Sequence, residues 1–261
     1  MTLLQVICIA VVEGVTEFLP VSSTGHMIIA QKLLGVDGHP DLVAAFTVNI
    51  QFGAILSVVV LYWRRFLQGW LFYRQLLIAF FPAAAAGCLF GAWVDRLLDN
   101  VIVVAVALLL GGVLMLFVDK WLFNRLRENQ ALDGKRALQI GCFQCVAMIP
   151  GVSRSMATIV GGMISGLSRK NAAEFSFFLA VPTMAAASGY TLLKIITEPG
   201  LVAELSKNLM ILLIGNAVAF VVALAAVRLF IRFLTRHGFR VFGYYRIALG
   251  LAILAFCLCR R

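Results

Sequence analysis

The segment VVEGVTEFLPVSSTGHMI, Val11 to Ile28, sets two carboxylates, a histidine, a proline and a run of hydroxyls inside an otherwise apolar stretch of chain. Ionisable groups at membrane depth are expensive and point to function. Glu13 and Glu17 are four residues apart, so on a helix they share one face, about one turn from each other. Like charges so placed repel unless a cation or a proton lies between them. Pro20 lacks an amide donor and disfavours helix at Leu19, which stops the helix with its carboxylates near the broken end. Ser22, Ser23 and Thr24 are residues of the kind that cap a second helix running on through His26. The segment therefore predicts two half-helices, 1 to 19 and 24 to 35, joined by a polar tip. Neither is long enough to span a bilayer, which takes roughly 20 apolar residues. The pair enters and returns on one side, and such broken backbone is tolerated only in protein or beside a polar cavity.

The setting is a membrane. The 261 residues are 62% hydrophobic and only 13% charged, and the mean hydropathy is +0.98, outside the range of soluble domains. The net charge of +10 comes from short basic runs between apolar segments. The positive-inside rule and anionic lipid account for them, and nucleic acid is not expected as a partner. No cleavable leader is expected, since the first apolar run lacks a basic start and holds the glutamates. Spans are predicted at 42–63, 76–94, 101–118, 174–196, 208–230 and 244–259. The intervening loops alternate between rich and poor in lysine and arginine, which puts the basic ones in the cytoplasm.

The chain also repeats itself. Residues 138–166 form a second broken apolar stretch centred on Pro150, Gly151, Ser153, Arg154, Ser155 and Thr158. An offset of 131 lays Val21, Ser22 and Ile28 on Val152, Ser153 and Ile159, and an offset of 129 lays Phe46 on Phe175 and Ile50 on Leu179. This supports a duplication, with a first repeat over 1–125 and a second over 126–261. Each repeat holds one re-entrant hairpin and three spans. Three is odd, so the repeats are inverted: the first hairpin opens outside, the second to the cytoplasm, and their tips meet near the midplane. The expected fold is thus an all-α integral membrane protein with six transmembrane helices and two re-entrant helical hairpins, an architecture also found in secondary transporters.

Meeting tips would collect Glu13, Glu17, Ser22, Ser23, Thr24 and His26 with Ser153, Arg154, Ser155 and Thr158. Arginine suits forked binding of phosphate, and hydroxyls with helix N-termini add neutral donors. Paired carboxylates suit a divalent cation such as Mg or Ca that bridges to substrate phosphate. A hydroxyl nucleophile or a histidine completes a set suited to hydrolysis of a phosphate ester or anhydride. Plainer readings compete. The glutamates would also serve as a structural ion pair with Arg154, the serines as caps, and His26 as a satisfied core histidine. Cys142 and Cys145 form a C-x-x-C pattern in an apolar hairpin, where small buried hydrophobes are the expected role rather than metal or redox chemistry.

Glu13-Gly-Val-Thr-Glu17-Phe-Leu-Pro-Val-Ser-Ser-Thr-Gly-His26 and Pro150-Gly-Val-Ser-Arg154-Ser-Met-Ala-Thr158-Ile resemble the two signature motifs of bacterial undecaprenyl-diphosphate phosphatases, the bacitracin-resistance family. Ile50-Gln-Phe-Gly53 and Glu174-Phe-Ser-Phe-Phe-Leu-Ala-Val-Pro182 are similar to its accompanying segments. Met156 departs from the glycine often found there. The resemblance covers essentially the whole chain. It implies hydrolysis of undecaprenyl diphosphate to undecaprenyl phosphate with divalent-metal dependence, recycling the lipid carrier for peptidoglycan. On that reading Glu13, Glu17, Ser23, His26 and Arg154 are catalytic, and Ser22, Thr24, Ser153, Arg154, Ser155 and Thr158 bind phosphate. Glu13 and Glu17 hold metal, and the enzyme sits in the inner membrane with its site open to the periplasmic side. Whether Ser23 or His26 is the nucleophile, whether Glu13 and Glu17 hold metal or share a proton, and whether the chain forms a homo-oligomer stay open. The alternative is a polyprenyl-phosphate flippase or other transporter using the same midplane site.

Overall fold

A computed structural model describes residues 1–36, 40–98, 100–122, 132–197 and 209–259. The described residues form helices and turns without strands. In order the helices are α1 (Leu3–Thr16), α2 (Ser23–Leu33), α3 (Pro40–Leu61), α4 (Trp63–Phe66), α5 (Trp70–Leu98), α6 (Val101–Leu122), α7 (Gly134–Val146), α8 (Arg154–Ile164), α9 (Arg169–Ile196), α10 (Leu209–His237) and α11 (Arg240–Cys259). Five are long and apolar enough to cross a bilayer: those over Trp70–Gly91, Val101–Leu122, Arg169–Leu193, Leu209–His237 and Arg240–Cys259. In α3 the described apolar run, Ala45–Leu61, is shorter. Large apolar side chains such as Phe81, Leu89, Leu110 and Leu229 are more than 60% exposed along these helices, as lipid-facing surface is and water-facing surface is not.

Both short pairs exist, with firmer ends than the residue pattern alone supplies. Helix α1 starts on a capping box between Thr2 and Gln5 and stops at Thr16, three residues before the expected end. Glu17 is its C-cap, so Pro20 lies in the turn rather than at the last helical step. Helix α7 starts on Asp133, which accepts from the Arg136 amide at 2.8 Å. The long helices outrun the expected spans: α5 begins at Trp70 rather than 76, and α10 continues to His237 rather than 230. Polar residues at a membrane surface do not end a helix that has water to satisfy its last carbonyls. Asp37, His39 and Lys207 lie outside the described residues.

The helices interlock across the chain. Helix α1 lies on α10 and α7 on α5, while α6 packs along α11. Glycines set these distances. A Cβ on Gly14 would lie 2.8 Å from the Ala219 carbonyl oxygen, and one on Gly53 would lie 2.5 Å from that of Asn216. At the α6–α11 crossing the relation is reciprocal: a Cβ on Gly112 would lie 2.9 Å from the Gly243 carbonyl oxygen, and one on Gly243 would lie 2.9 Å from that of Gly112.

Charged ends close the bundle. Asp119, late in α6, accepts from Arg169 Nε at 3.0 Å and from the Phe239 amide at 2.6 Å. Arg65 approaches Glu174 at 3.9 Å. The ends of α3 and α6, the starts of α5 and α9, and the α10–α11 turn therefore share one face of the molecule, with most of the described basic residues. At the other face Gln5 donates to the Leu34 carbonyl at 3.0 Å and Asn49 to that of Leu212 at 3.2 Å. Between the faces, the main apolar core gathers Phe18, Val152, Met156, Phe177 and Phe178 around the two breaks in helix.

Candidate active site

Each break ends on a serine with the same unusual backbone. Ser22 caps α2 with φ 71° and ψ 92°, and Ser153 caps α8 with φ 70° and ψ 117°. They are the non-glycine residues with positive φ among those described. Such a conformation costs about 1–3 kcal/mol and persists only where the surroundings impose it. In each case the serine hydroxyl accepts from the amide three residues on, Gly25 at 3.4 Å and Met156 at 3.4 Å. Ser22 and Ser153 are thus helix caps in this structure, and each is followed by a residue, Ser23 or Arg154, that donates to Glu17.

The tips meet at Glu17. Arg154 Nη2 donates to Glu17 Oε1 at 2.8 Å and Ser23 Oγ donates to Glu17 Oε2 at 2.7 Å. The pair is nearly closed to solvent, with the Arg154 side chain 14% and the Glu17 side chain 7% exposed. Arg154 is further held by the Ser176 carbonyl at 3.1 Å and stands over the Phe18 ring at 5.8 Å. Breaking such a pair costs about 3–5 kcal/mol because the survivor stays buried and unpaired.

Glu13 is different. It is fully buried and neither carboxylate oxygen has a hydrogen-bond partner. Glu17, Gln51 and Arg154 are the polar side chains close enough to act on it, although neither of its carboxylate oxygens is within full hydrogen-bond geometry of a partner. A bare carboxylate in an apolar interior is far too costly to persist, so the position suits a bound cation or a proton. The donor set beside it, two carboxylates and an amide, is made of oxygens. Among the described residues no group of three or more histidine, cysteine or acidic side chains gathers. Oxygen donors such as the two carboxylates and the amide carbonyl would suit a hard divalent ion rather than zinc with its nitrogen and sulfur ligands.

The other predicted site residues divide. His26 Nδ1 lies 2.8 Å from the Ser22 carbonyl and Nε2 lies 2.6 Å from the Tyr245 hydroxyl. A carbonyl only accepts, so Nδ1 carries a proton, and in the neutral imidazole Nε2 accepts from Tyr245. The two rings stack at 5.6 Å. His26 is therefore occupied with α11, while Ser23 faces the Glu17–Arg154 pair. Thr24 is exposed. Ser155 Oγ donates to the Leu19 carbonyl at 2.8 Å, lacing the second tip to the first. Thr158 is fully buried and bonded to the Arg154 carbonyl at 2.8 Å and to Ser176 Oγ at 2.6 Å. All six cysteines are free, and Cys142 and Cys145 sit on the helix α7.

Two residues that motif reading passed over, Tyr245 and Arg246, and one that it quoted without a role, Ser176, contact this centre. Arg246 is fully buried in α11. It donates to the carbonyls of Pro20 and Val152 at 3.2 Å each, Gly151 at 2.8 Å, Ala107 at 3.1 Å and Leu108 at 3.4 Å. Among the described residues no carboxylate pairs with it. A charged residue within a predicted span is the signal that finds it.

The chain has many relatives among known proteins. Residues 6–252 match the model of a family described as bacitracin resistance protein BacA. A protein of Flavobacterium johnsoniae named undecaprenyl-diphosphatase is 55% identical over 257 residues, covering 97% of this chain and 96% of that protein. Proteins of the same name from Bdellovibrio bacteriovorus and Aquifex aeolicus are 52% and 44% identical, covering 97% and 99% of this chain and 95% and 100% of their own lengths.

Proposed function

The chain belongs to the bacitracin resistance protein BacA family, and from that premise we propose that it is an undecaprenyl-diphosphate phosphatase. It hydrolyses the lipid diphosphate to undecaprenyl phosphate and inorganic phosphate, which returns the carrier to cell-wall synthesis. The observation that carries the reading at the level of residues is the Glu17 bridge, which joins a hydroxyl on one tip to a guanidinium on the other.

In the proposed reaction Arg154 exchanges its hold on Glu17 for the terminal phosphate, whose paired oxygens match the guanidinium fork. Ser23 Oγ attacks the terminal phosphorus and Glu17 accepts its proton. The bond from phosphorus to the bridging oxygen breaks, and undecaprenyl phosphate leaves. Water then attacks the phosphoserine, the P–Oγ bond breaks, the proton held on Glu17 returns to Oγ, and phosphate is released with Ser23 restored. Ser23 fits this role better than His26, whose Nε2 is bonded to Tyr245. Glu13 and Glu17 are the residues suited to hold a divalent ion, Mg or Ca, which supplies neutralising charge to the diphosphate. Amides at the N-terminus of α8 add donors for phosphate oxygens.

The same proposal takes the chain as two inverted repeats, 1–125 and 126–261, with six spans and two re-entrant pairs. What supports it is the matching backbone of Ser22 and Ser153, which the offset of 131 superposes, together with the reciprocal contact of Gly112 and Gly243, also 131 apart. It puts the basic face in the cytoplasm, both termini outside, and the first tip open to the periplasmic side of the inner membrane. Reporter fusions at Asn129 and at the C-terminus are expected in opposite compartments, and a shared compartment defeats the inverted arrangement. For the activity, purified protein given a polyprenyl diphosphate is expected to release one phosphate per lipid and to stop on chelation. An intact substrate under metal-replete conditions would sink the reading.

A further inference from the structure

Arg246 does no chemistry in the reaction above, yet a permanent charge in the middle of an apolar helix is among the least tolerated groups in a membrane protein. Its five acceptors explain its presence. Pro20 lies in the first tip, Gly151 and Val152 lie in the second, and Ala107 and Leu108 lie on α6. A single rigid guanidinium therefore ties both tips to one helix. Arginine alone has the donors and planar spread for this, since lysine offers three donors from one point.

The surrounding sequence makes room for it. A Cβ on Gly111 would overlap Arg246 Nη2, so α6 admits the guanidinium only because that residue is glycine. Gly151 has φ +94°, and a Cβ there would lie 2.5 Å from the Val104 carbonyl oxygen, so the second tip presses directly on the same stretch of α6. The acceptors also stand at telling places in sequence. Pro20 is two residues before Ser22, and Gly151 and Val152 are the two residues before Ser153. Those are the two serines with positive φ, and Ser153 is followed at once by Arg154, whose contact with Glu17 completes the site.

We infer that Arg246 is a positioning residue for catalysis: it sets the two tips in mutual register so that Ser23, Glu17 and Arg154 come together, acting through backbone carbonyls and never touching substrate. The inference rests on the phosphatase reading for its kinetic consequence and on geometry alone for its structural one.

Arg246→Lys keeps the charge and loses part of the fork. Turnover on a polyprenyl diphosphate is expected to fall about 100-fold, the scale of a small misplacement of reacting groups, while KM stays within about threefold. Combined with Arg154→Lys the loss should be little more than that of Arg154→Lys alone, since both act on one assembly. Hydrogen exchange should quicken in peptides covering 19–26 and 150–157 and stay unchanged in α9 and α10. Should Arg246→Lys not fold, Gly111→Ala leaves every charge in place, crowds the guanidinium and is expected to give the same pattern. Wild-type turnover in a folded variant, losses that multiply with those of Arg154→Lys, or unchanged exchange in the two tips would each overturn the inference. The exchange result stands whether or not the wild-type protein hydrolyses the lipid, so failure of the phosphatase reading is told apart from failure of the clamp.

Discussion

The two tips share a backbone and divide the chemistry. Each breaks a helix, turns through a serine near φ 70° and restarts on a hydroxyl cap. The first tip then presents Glu13, Glu17, Ser23 and His26, whereas the second presents Arg154. Where the first half has Glu13, the offset of 131 finds Gln144 in the second, also buried and with its amide nitrogen unpartnered. The same scaffold thus carries acid on one side and amide or guanidinium on the other. On the proposed reading, the repeat supplies the meeting place, and the departures from it supply polarity to a site that binds an anion and activates a nucleophile.

The largest effect expected from disturbing that division is at Arg154. Arg154→Lys keeps the charge but cannot span two phosphate oxygens, and turnover should fall by about 1,000-fold, the upper range for loss of a transition-state donor. Steady-state phosphate release with a thermal melt in detergent measures it, and an active lysine variant would mean that the second tip does not clamp phosphate.

Next come the carboxylates. Glu13→Gln and Glu17→Gln should each lower metal-dependent hydrolysis by about 100-fold or more, with the double variant little worse than either single, as residues acting on one ion behave. Losses that multiply, or wild-type activity surviving full chelation, would leave the pair with positional roles only. The structure sharpens this test, because Glu17 carries Ser23 and Arg154 whereas Glu13 carries neither. Glu17→Gln is therefore expected to lower thermal stability and Glu13→Gln to raise or preserve it, since the amide replaces an unpartnered carboxylate.

A smaller change is expected at Tyr245. Tyr245→Phe keeps the ring stacked on His26 and deletes one hydrogen bond, worth about 1 kcal/mol, so kcat/KM should fall by no more than about tenfold. A collapse to the level of Arg154→Lys would move His26 into the centre of the chemistry and displace Ser23 as nucleophile.

The smallest effect concerns the serines. Glycine tolerates positive φ without penalty and serves as a fair N-cap. Ser22→Gly and Ser153→Gly should shift the melting temperature by only a few degrees, and Ser→Ala at either position should be clearly worse. Equal damage from glycine and alanine would mean that the hydroxyls, rather than the backbone they tolerate, matter to the fold.

The residues that were legible in the sequence share one property: they break a pattern. Pro20 and the hydroxyl run after it interrupt an apolar period, so the break between α1 and α2 is legible directly. Arg154 stood out beside Pro150 and Gly151 for the same reason. Arg246 was hidden because it sits amid Tyr244, Tyr245 and Ile247, in a stretch whose average character is that of a span, and window averages dilute a single charge. Polarity places the start of α5 and the end of α10 too near the apolar run, because a helix leaving the membrane keeps its own hydrogen bonds until a cap or a turn intervenes. In α10 that turn is Gly238, with φ +70° and Asp119 packed where a side chain would go. No pattern along the chain reveals which hydroxyls face inward to carbonyls, as Ser155 and Thr158 do, since that depends on what the other tip brings.

At the crossing of α6 and α11, Gly112 and Gly243 each occupy the space that the other's side chain would need. Neither can be accommodated by shrinking its partner, because both already stand at the lower limit of residue size. Mutational drift at this pair therefore has no compensating second step within the pair itself: an added methyl at either position must be absorbed by moving two whole helices, one of which carries Arg246 and the other its glycine berth.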